Sequence, residues 1–340
     1  MALRSQELRS PESIVWDEDR QRYLVSNTID ALIRSVDLRG NTAILSRELS
    51  GSHGLLLKEN ILYSCYRNEL HVYDVHSDQP IVQFVIEGAK FLNGICEDEK
   101  GNIYITDFST RRIFKLRLGS DLISIENSET WKTMESIPNG IAYDELRDEL
   151  VVVSWGSDAS IYCIDRQTAS IKHKVETGFG NLESIVIDDR GDAYVSSWTP
   201  SAILKFDQGV RTVPHIWKSE DIYRPTGLTI GKDNDIIHLS AEESTLRSLE
   251  RNAELETKLD AFPNPMSVNS LISYKLEESG YVNISIYDCR GNLVQTLITE
   301  MKKAGNHQFM YERDQMSNGL YFINMISEND SQAIAVTLVD

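Results

Sequence analysis

The chain is poor in the features that announce most chemistries. Its 340 residues hold four cysteines, Cys65, Cys96, Cys163 and Cys289, set far apart. No Cys-x-x-Cys or Cys/His spacing suggests a zinc site. The thiols read as small, mostly buried side chains that give no redox address. No run approaches the ~20 apolar residues that span a bilayer. Cationic side chains are in deficit, 34 Lys and Arg against 52 Asp and Glu, for a net charge of −18. Phosphate backbones and anionic membranes repel such a surface, so nucleic acid and membrane insertion are excluded as partners. Locally, the same surplus suits cation binding. There is no GxSxG elbow, no P-loop and no GxGxxG before a helix, which leaves serine-hydrolase and nucleotide readings without support. The opening MALRSQELRSPES lacks an apolar core, so no signal peptide is expected in it. The protein is then either cytoplasmic, or secreted or cell-surface with its leader removed. Long stripes of helical period are also missing.

What the chain does have is a repeat. Six times a polar residue stands just before a Gly or Ser that opens a short apolar strand: Glu12, His53, Asn93, Asn139, Glu183 and Thr226, spaced by 41, 40, 46, 44 and 43 residues. Each is followed by a turn rich in Asp, Asn and Gly, such as Asp98-Glu99-Lys100-Gly101, read here as a solvated hairpin. A second strand then carries a hydroxyl at a matching place: Ser26, Ser64, Thr106, Ser154, Ser196 and Ser240. A third strand and a less regular fourth, such as 79–87, complete each unit. Alternating apolar residues between such turns form antiparallel hairpins. Four strands per ~40–45 residues is the pattern of a propeller blade. The expectation is an all-β protein, with a six-bladed β-propeller over residues 1–258 and its six opening residues around one mouth of the channel. From 259 to 340 the pattern becomes short strands broken by Gly turns, which fits a small β-sandwich.

Glu12, Asn93, Asn139 and Glu183 form a hard, all-oxygen set. It suits a divalent cation, Ca²⁺ first and Mg²⁺ or Mn²⁺ next, rather than a thiophilic ion. Such an ion can polarise a carbonyl or acidify a bound water. Ser154-Trp155 and Ser197-Trp198 end corresponding second strands, and their indoles could wall an apolar substrate pocket. Asp107 is a candidate beside the site or a hairpin residue, Thr226 is a ring member without a role, and His238 reads as a satisfied structural histidine.

These motifs resemble the calcium-dependent six-bladed propeller hydrolases: the SMP-30/gluconolactonase family, the diisopropylfluorophosphatase type and the paraoxonases. The matches are Glu12 in the Pro11–Asp17 stretch, Asn93 in Phe-Leu-Asn-Gly, Asn139 in Pro-Asn-Gly-Ile and His53 before Gly54. Where the group has an Asp in blade 5, this chain has Glu183. The resemblance implies a metal-dependent hydrolase of lactones, esters or organophosphates, with His53 as general base for a small-molecule substrate. NHL-type binding propellers have similar turns, so a non-catalytic propeller holding a carbohydrate, peptide or protein is the alternative. A lyase on the same scaffold is a more distant one.

The tail resembles the C-terminal sorting domain of the type IX secretion system (the Por secretion tail). The resemblance rests on Phe262-Pro263-Asn264-Pro265, the 282–288 strand, Gly291-Asn292-Leu293-Val294, Gly305-Asn306-His307 and Asn318-Gly319-Leu320-Tyr321. It implies export and the secretion machinery as partner. The acidic end, Leu338-Val339-Asp340, departs from the basic ending usual there.

Overall fold

A computed structural model describes residues 2–4, 8–47, 50–211, 214–219, 222–232, 234–240, 245–249, 259–262, 264–266, 269–276, 278–288, 290–313, 316–327 and 331–339. Among them every regular element is a strand. The chain divides into two compact units, Met1–Arg251 and Asn252–Asp340. The boundary expected at residue 258 falls within 251–258, outside the described residues, as does Cys289.

The first unit is a propeller of six four-stranded antiparallel blades. Blade 1 comprises Pro11–Asp17, Arg22–Asn27, Ile33–Asp37 and Thr42–Ile44. Blade 2 comprises Leu55–Lys58, Ile61–Tyr66, Glu69–Asp74 and Gln79–Val85. Blade 3 comprises Leu92–Glu97, Asn102–Asp107, Arg112–Leu118 and Ile125–Thr133. Blade 4 is Ile137–Asp144, Glu149–Trp155, Ala159–Asp165 and the first half of the long strand Ile171–Ile187. The second half of that strand is the inner strand of blade 5, which continues with Ala193–Thr199, Ser201–Phe206 and His215–Lys218. Blade 6 is Pro225–Ile230, Ile236–Ser240 and Thr245–Leu249, and its fourth strand is the N-terminal Ala2–Arg4. The last blade is therefore completed by the start of the chain, which closes the ring without a free junction.

Burial explains the strand chemistry. The second strands lie between neighbouring blades and are covered on both faces, so Leu150, Val151, Val152 and Val153 are all buried. Such strands read as continuous apolar runs rather than alternating ones. The outer strand Gln79–Val85 alternates strictly between exposed and half-buried positions. The core sits between blades: Tyr63, Leu70 and Val72 pack on Ile103, Ile105 and Phe114, and Ile14 and Val25 pack on Leu239 and Leu246. Ionic latches cross the same seams. Arg22 of blade 1 donates to Val75 O (2.9 Å) and Asp78 (2.8 Å) of blade 2, and Arg211 of blade 5 pairs with Glu149 of blade 4 at 2.6 Å.

One acidic turn departs from its reading as a solvated hairpin. Asp98 is buried; it accepts from the amides of Lys100 and Asn102 and from the Tyr104 hydroxyl, and it pairs with Arg166 of blade 4 at 3.3 Å. Those bonds and the guanidinium hold its carboxyl below the usual range despite burial. Cys65, Cys96 and Cys163 are free and buried.

The second unit is a two-sheet sandwich. One sheet is Leu259–Phe262, Asn269–Leu276 and Gly305–Glu312. The other is Leu293–Lys302, Gly280–Asp288, Gly319–Ser327 and Ser331–Leu338, in that order across the sheet. Ile272, Val282, Ile284, Ile323, Met325 and Val336 form its own core.

Candidate functional site

The opening residues of the repeats share one local device. In five blades the register of the inner strand slips by one residue, so that two inner-strand residues oppose one on the next strand, between Pro11 and Ile14, Leu92 and Ile95, Pro138 and Ile141, Leu182 and Ile185, and Pro225 and Leu228. The residues inside each slip are the polar residue and the Gly or Ser after it. A bulge of this kind takes a side chain out of the alternating pleat and re-aims it. In blade 2 the strand begins later, at Leu55, so His53 and Gly54 precede it.

The Gly or Ser partner is explained by how near adjacent blades come at the axis. A β-carbon on Gly94 would lie 2.5 Å from Asn139 O, one on Gly140 2.6 Å from Glu183 O, and one on Gly227 2.7 Å from Glu12 O. No side chain fits there. Where a Ser stands instead it makes a bond: Ser13 Oγ accepts from Leu55 N (3.1 Å) and Ser184 Oγ from Leu228 N (3.2 Å). The hydroxyl on the second strand braces the bulge. Thr106 accepts from Gly94 N (2.8 Å) and donates to Asn139 O (2.6 Å). Ser196 likewise accepts from Ser184 N (2.9 Å) and donates to Thr226 O (2.7 Å). Ser26 accepts from Ser13 N at 3.0 Å. Ser154 and Ser240 depart from this pattern, bonding to Ser160 and to Tyr223 O.

These bulges border a cavity of about 580 Å³ that runs along the inner strands. Glu12, Asn93, Glu183 and Thr226 line it. Asn139 is beside them, 1 % exposed. Its Nδ2 donates to Glu183 Oε2 (2.7 Å) and Leu182 O (2.9 Å), so it pins the carboxylate of the next blade. Its Oδ1 is buried without a hydrogen-bond partner. Neither Glu12 nor Glu183 has a basic side chain within ion-pair distance among the described residues. Burial raises the Glu12 carboxyl to about 7. Glu183 also lies well above the usual carboxylate range, through burial first and the Glu12 charge second, with the Asn139 bond opposing. Among the described residues no three of His, Cys, Asp and Glu gather as a metal group; two of the four donors here are amides.

The other six expected residues have defined partners. Thr226 donates to Pro11 O at 2.8 Å, tying blade 6 to blade 1. Asp107 is buried, and its carboxylate accepts from the amides of Lys90 (2.5 Å), Phe91 (3.0 Å) and Thr110 (2.7 Å), so it shapes the rim rather than facing a ligand. Ser154 both donates to Ser160 O (2.8 Å) and accepts from Ser160 N (2.9 Å). Trp155 and Trp198 meet edge to face at 5.2 Å, and Trp198 Nε1 donates to Pro225 O at 3.1 Å. His53 sits at the rim with Nδ1 2.6 Å from Ser52 Oγ and its ring against Phe91 at 4.6 Å. Burial lowers its pKa to about 4, so it is neutral near pH 7. It does not line the channel cavity. His238 is buried in blade 6 with a long 3.4 Å contact to Leu239 O, and its Nε2 has no partner, so it is less satisfied than expected.

Phe91 and Phe108 were not singled out by the repeat. Phe108 contacts both Phe91 and Trp155 at 6.0 Å, which joins His53, Phe91, Phe108, Trp155 and Trp198 into one chain of rings across blades 2 to 5. The usable signal was position, since Phe108 and Trp155 both stand at second-strand ends.

Residues 260–337 match the family model of the secretion system C-terminal sorting domain. A domain of this kind indicates export, to the cell surface or beyond, and gives the cytoplasmic alternative no support. No curated protein matches the chain. The fold is similar to that of a gluconolactonase from Xanthomonas campestris, at 16% identity and TM-score 0.57, over 71% of this chain and 86% of that one. It is also similar to a luciferin-regenerating enzyme (15%, 0.56, 72% and 92%) and to a streptogramin B lyase (14%, 0.50, 73% and 97%). At such identities the likeness establishes the propeller fold and nothing finer.

Proposed function

We propose that the propeller is a cation-dependent hydrolase of the lactonase or esterase type, acting at the mouth of its central channel. The observation that carries this reading is the polar group at the bulges. Two carboxylates face one cavity without a basic partner, beside a buried amide oxygen that accepts nothing. Buried charge and buried polar atoms are stable when paired. A hard divalent cation would satisfy all three at once, and the donor set of Glu12, Asn93, Asn139 and Glu183 fits Ca²⁺, with Mg²⁺ and Mn²⁺ as alternatives. The same fold is found in a protein described as a gluconolactonase, so the scaffold admits lactone hydrolysis.

When bound, the ion would supply Lewis acidity toward a substrate carbonyl oxygen. The protein's own groups have separate tasks. Asn139 holds Glu183 by its Nδ2 and keeps Oδ1 turned away from other donors. The extra methylene of Glu183, relative to Asp, lets its carboxylate reach across the blade seam to Asn139. His53 is unprotonated near pH 7 and, standing outside the cavity lining, would take the proton of the attacking water through an intervening water, with Ser52 holding its Nδ1. The C-terminal domain would engage the secretion machinery. The outer face of its larger sheet suits docking: Tyr281, Tyr287, Leu293, Met301, Leu320 and Phe322 lie on it, and the paired positions around them are Asn, Ser, Thr and Ala.

A panel of lactones and aryl esters, assayed with and without chelator, tests the catalytic reading. Turnover that needs added Ca²⁺ and falls at least a hundredfold in Glu12→Gln is expected. Full turnover and full cation affinity in Glu12→Gln would sink it. Tight binding of a carbohydrate or peptide with no hydrolysis under any divalent ion would favour a non-catalytic propeller.

A further inference from the structure

An arc of rings crosses blades 2 to 5 beside the channel cavity, outside its lining. His53, Phe91, Phe108, Trp155 and Trp198 follow one another at centroid distances of 4.6, 6.0, 6.0 and 5.2 Å, each pair edge to face. They come from four successive blades, and all five are half-buried, with part of each ring open. Their place in the repeats puts them at the end of the blades that carries Glu12, Asn93 and Glu183. Phe91 stands two residues before Asn93, and Trp155 pairs in register with Ile137, two residues before Asn139. The Arg224 guanidinium lies over the Trp198 ring at 5.4 Å and extends the arc toward blade 6.

Apart from the channel donors, His53 and the Arg224 guanidinium, five polar groups of this rim are already used. Asp107 serves three backbone amides, Ser154 serves Ser160, Ser197 donates to Gly180 O, Trp198 Nε1 donates to Pro225 O, and Thr226 donates to Pro11 O. A polyhydroxylated sugar lactone needs free donors and acceptors around its ring, because each hydroxyl stripped of water and left unpaired costs binding. An alkyl or aryl arm needs only apolar surface, and ring edges and faces supply it.

We infer that the site selects lactones and esters that carry an apolar or aryl arm over sugar lactones, the arm lying along the arc from Phe91 through Phe108 to Trp155. The hydrolysis in this statement rests on the function proposed above; the binding preference does not.

The test uses the full-length protein with Ca²⁺ present. Hydrolysis of δ-decalactone and dihydrocoumarin is compared with that of gluconolactone. The lactam analogue of decalactone, which is not hydrolysed, is titrated by calorimetry. At least a tenfold advantage in kcat/KM for the apolar lactones is expected. Trp155→Ala and Phe108→Ala should each raise KM for decalactone about tenfold, and weaken lactam binding as much, with a smaller effect on gluconolactone. Thermal melts of both variants identify any that has lost its fold, and Trp155→Phe, which keeps a ring, should recover most of the lactam affinity. Lactam binding that depends on Trp155, without hydrolysis of anything, would keep the apolar preference and overturn the hydrolase. Gluconolactone turned over as well as decalactone would keep the hydrolase and overturn the preference. No lactam binding, with the variants folded, would overturn the preference whatever is hydrolysed.

Discussion

Glu12 and Glu183 are the residues on which the chemistry turns. Burial raises both carboxyls, and Glu183 is raised further by the Glu12 charge. In the cation-free protein, Glu12 takes up a proton near pH 7, against about 4.5 for an ordinary glutamate. The folded state therefore holds a proton that the unfolded chain releases between those values. The cation-free protein should thus become more stable as pH falls from 8 through 7 toward 5, and lose that increment as pH rises. Melting temperature in chelator across this range would show it. Ca²⁺ competes with the same proton, so a saturating excess should flatten the trend or reverse it. A melting temperature in chelator that falls steadily from pH 8 to 6 would contradict the account of the pair. The pairing of Asn139 with Glu183 was hidden in the sequence. The two are 44 positions apart, and nothing in either motif says that one amide points at the next blade's carboxylate.

At the scale of the element, the bulged inner strand joins fold to site. The repeat of a polar residue with Gly or Ser was plain in the sequence, because the same steric demand recurs at every seam. Its cause was not, since the crowding lies between residues about forty apart. The matching second-strand hydroxyls were equally visible, and the bond of Thr106 or Ser196 to the following blade was not. Gly140→Ala isolates this device. Its new methyl would meet Glu183 O at 2.6 Å and Ser184 Cα at 2.8 Å, both backbone atoms of the next blade. A loss of about 2 kcal/mol in urea unfolding is expected, along with weaker cation binding because the Glu183 segment must shift. Unchanged stability would mean that the seam is looser than described. One turn diverged from its sequence reading. Asp98 looked like a solvent-facing turn residue and is a buried acceptor, because Arg166 of blade 4 covers the end of its hairpin.

At the scale of the whole molecule, period and turn chemistry were enough to read six blades and a β-rich tail, since each blade repeats one short grammar. The closure of blade 6 by Ala2–Arg4 was not legible, because that strand lies outside the repeat. Nor was the arc of rings, whose members Phe91 and Phe108 belong to no motif and meet only once the blades are in place. Each unit has a core of its own, and among the described residues the second unit's core cluster runs from Leu259 to Leu338. Removing residues 260–337 should therefore leave the propeller's melting transition and its cation-induced shift within about 1 kcal/mol of the full chain. The same deletion should stop appearance at the cell surface or in the medium when the gene is expressed in a host with the secretion system. Export that persists without the tail would contradict its assignment as the sorting signal.

The chemistry of the propeller depends on the bulged ring residues holding a divalent cation. Calorimetric titration of Ca²⁺ into chelator-stripped protein at pH 8, alongside Glu183→Gln, addresses it most directly. One ion per chain is expected in the parent protein, with at least a hundredfold weaker binding in the variant. No heat of binding, or binding undiminished by Glu183→Gln, would contradict it.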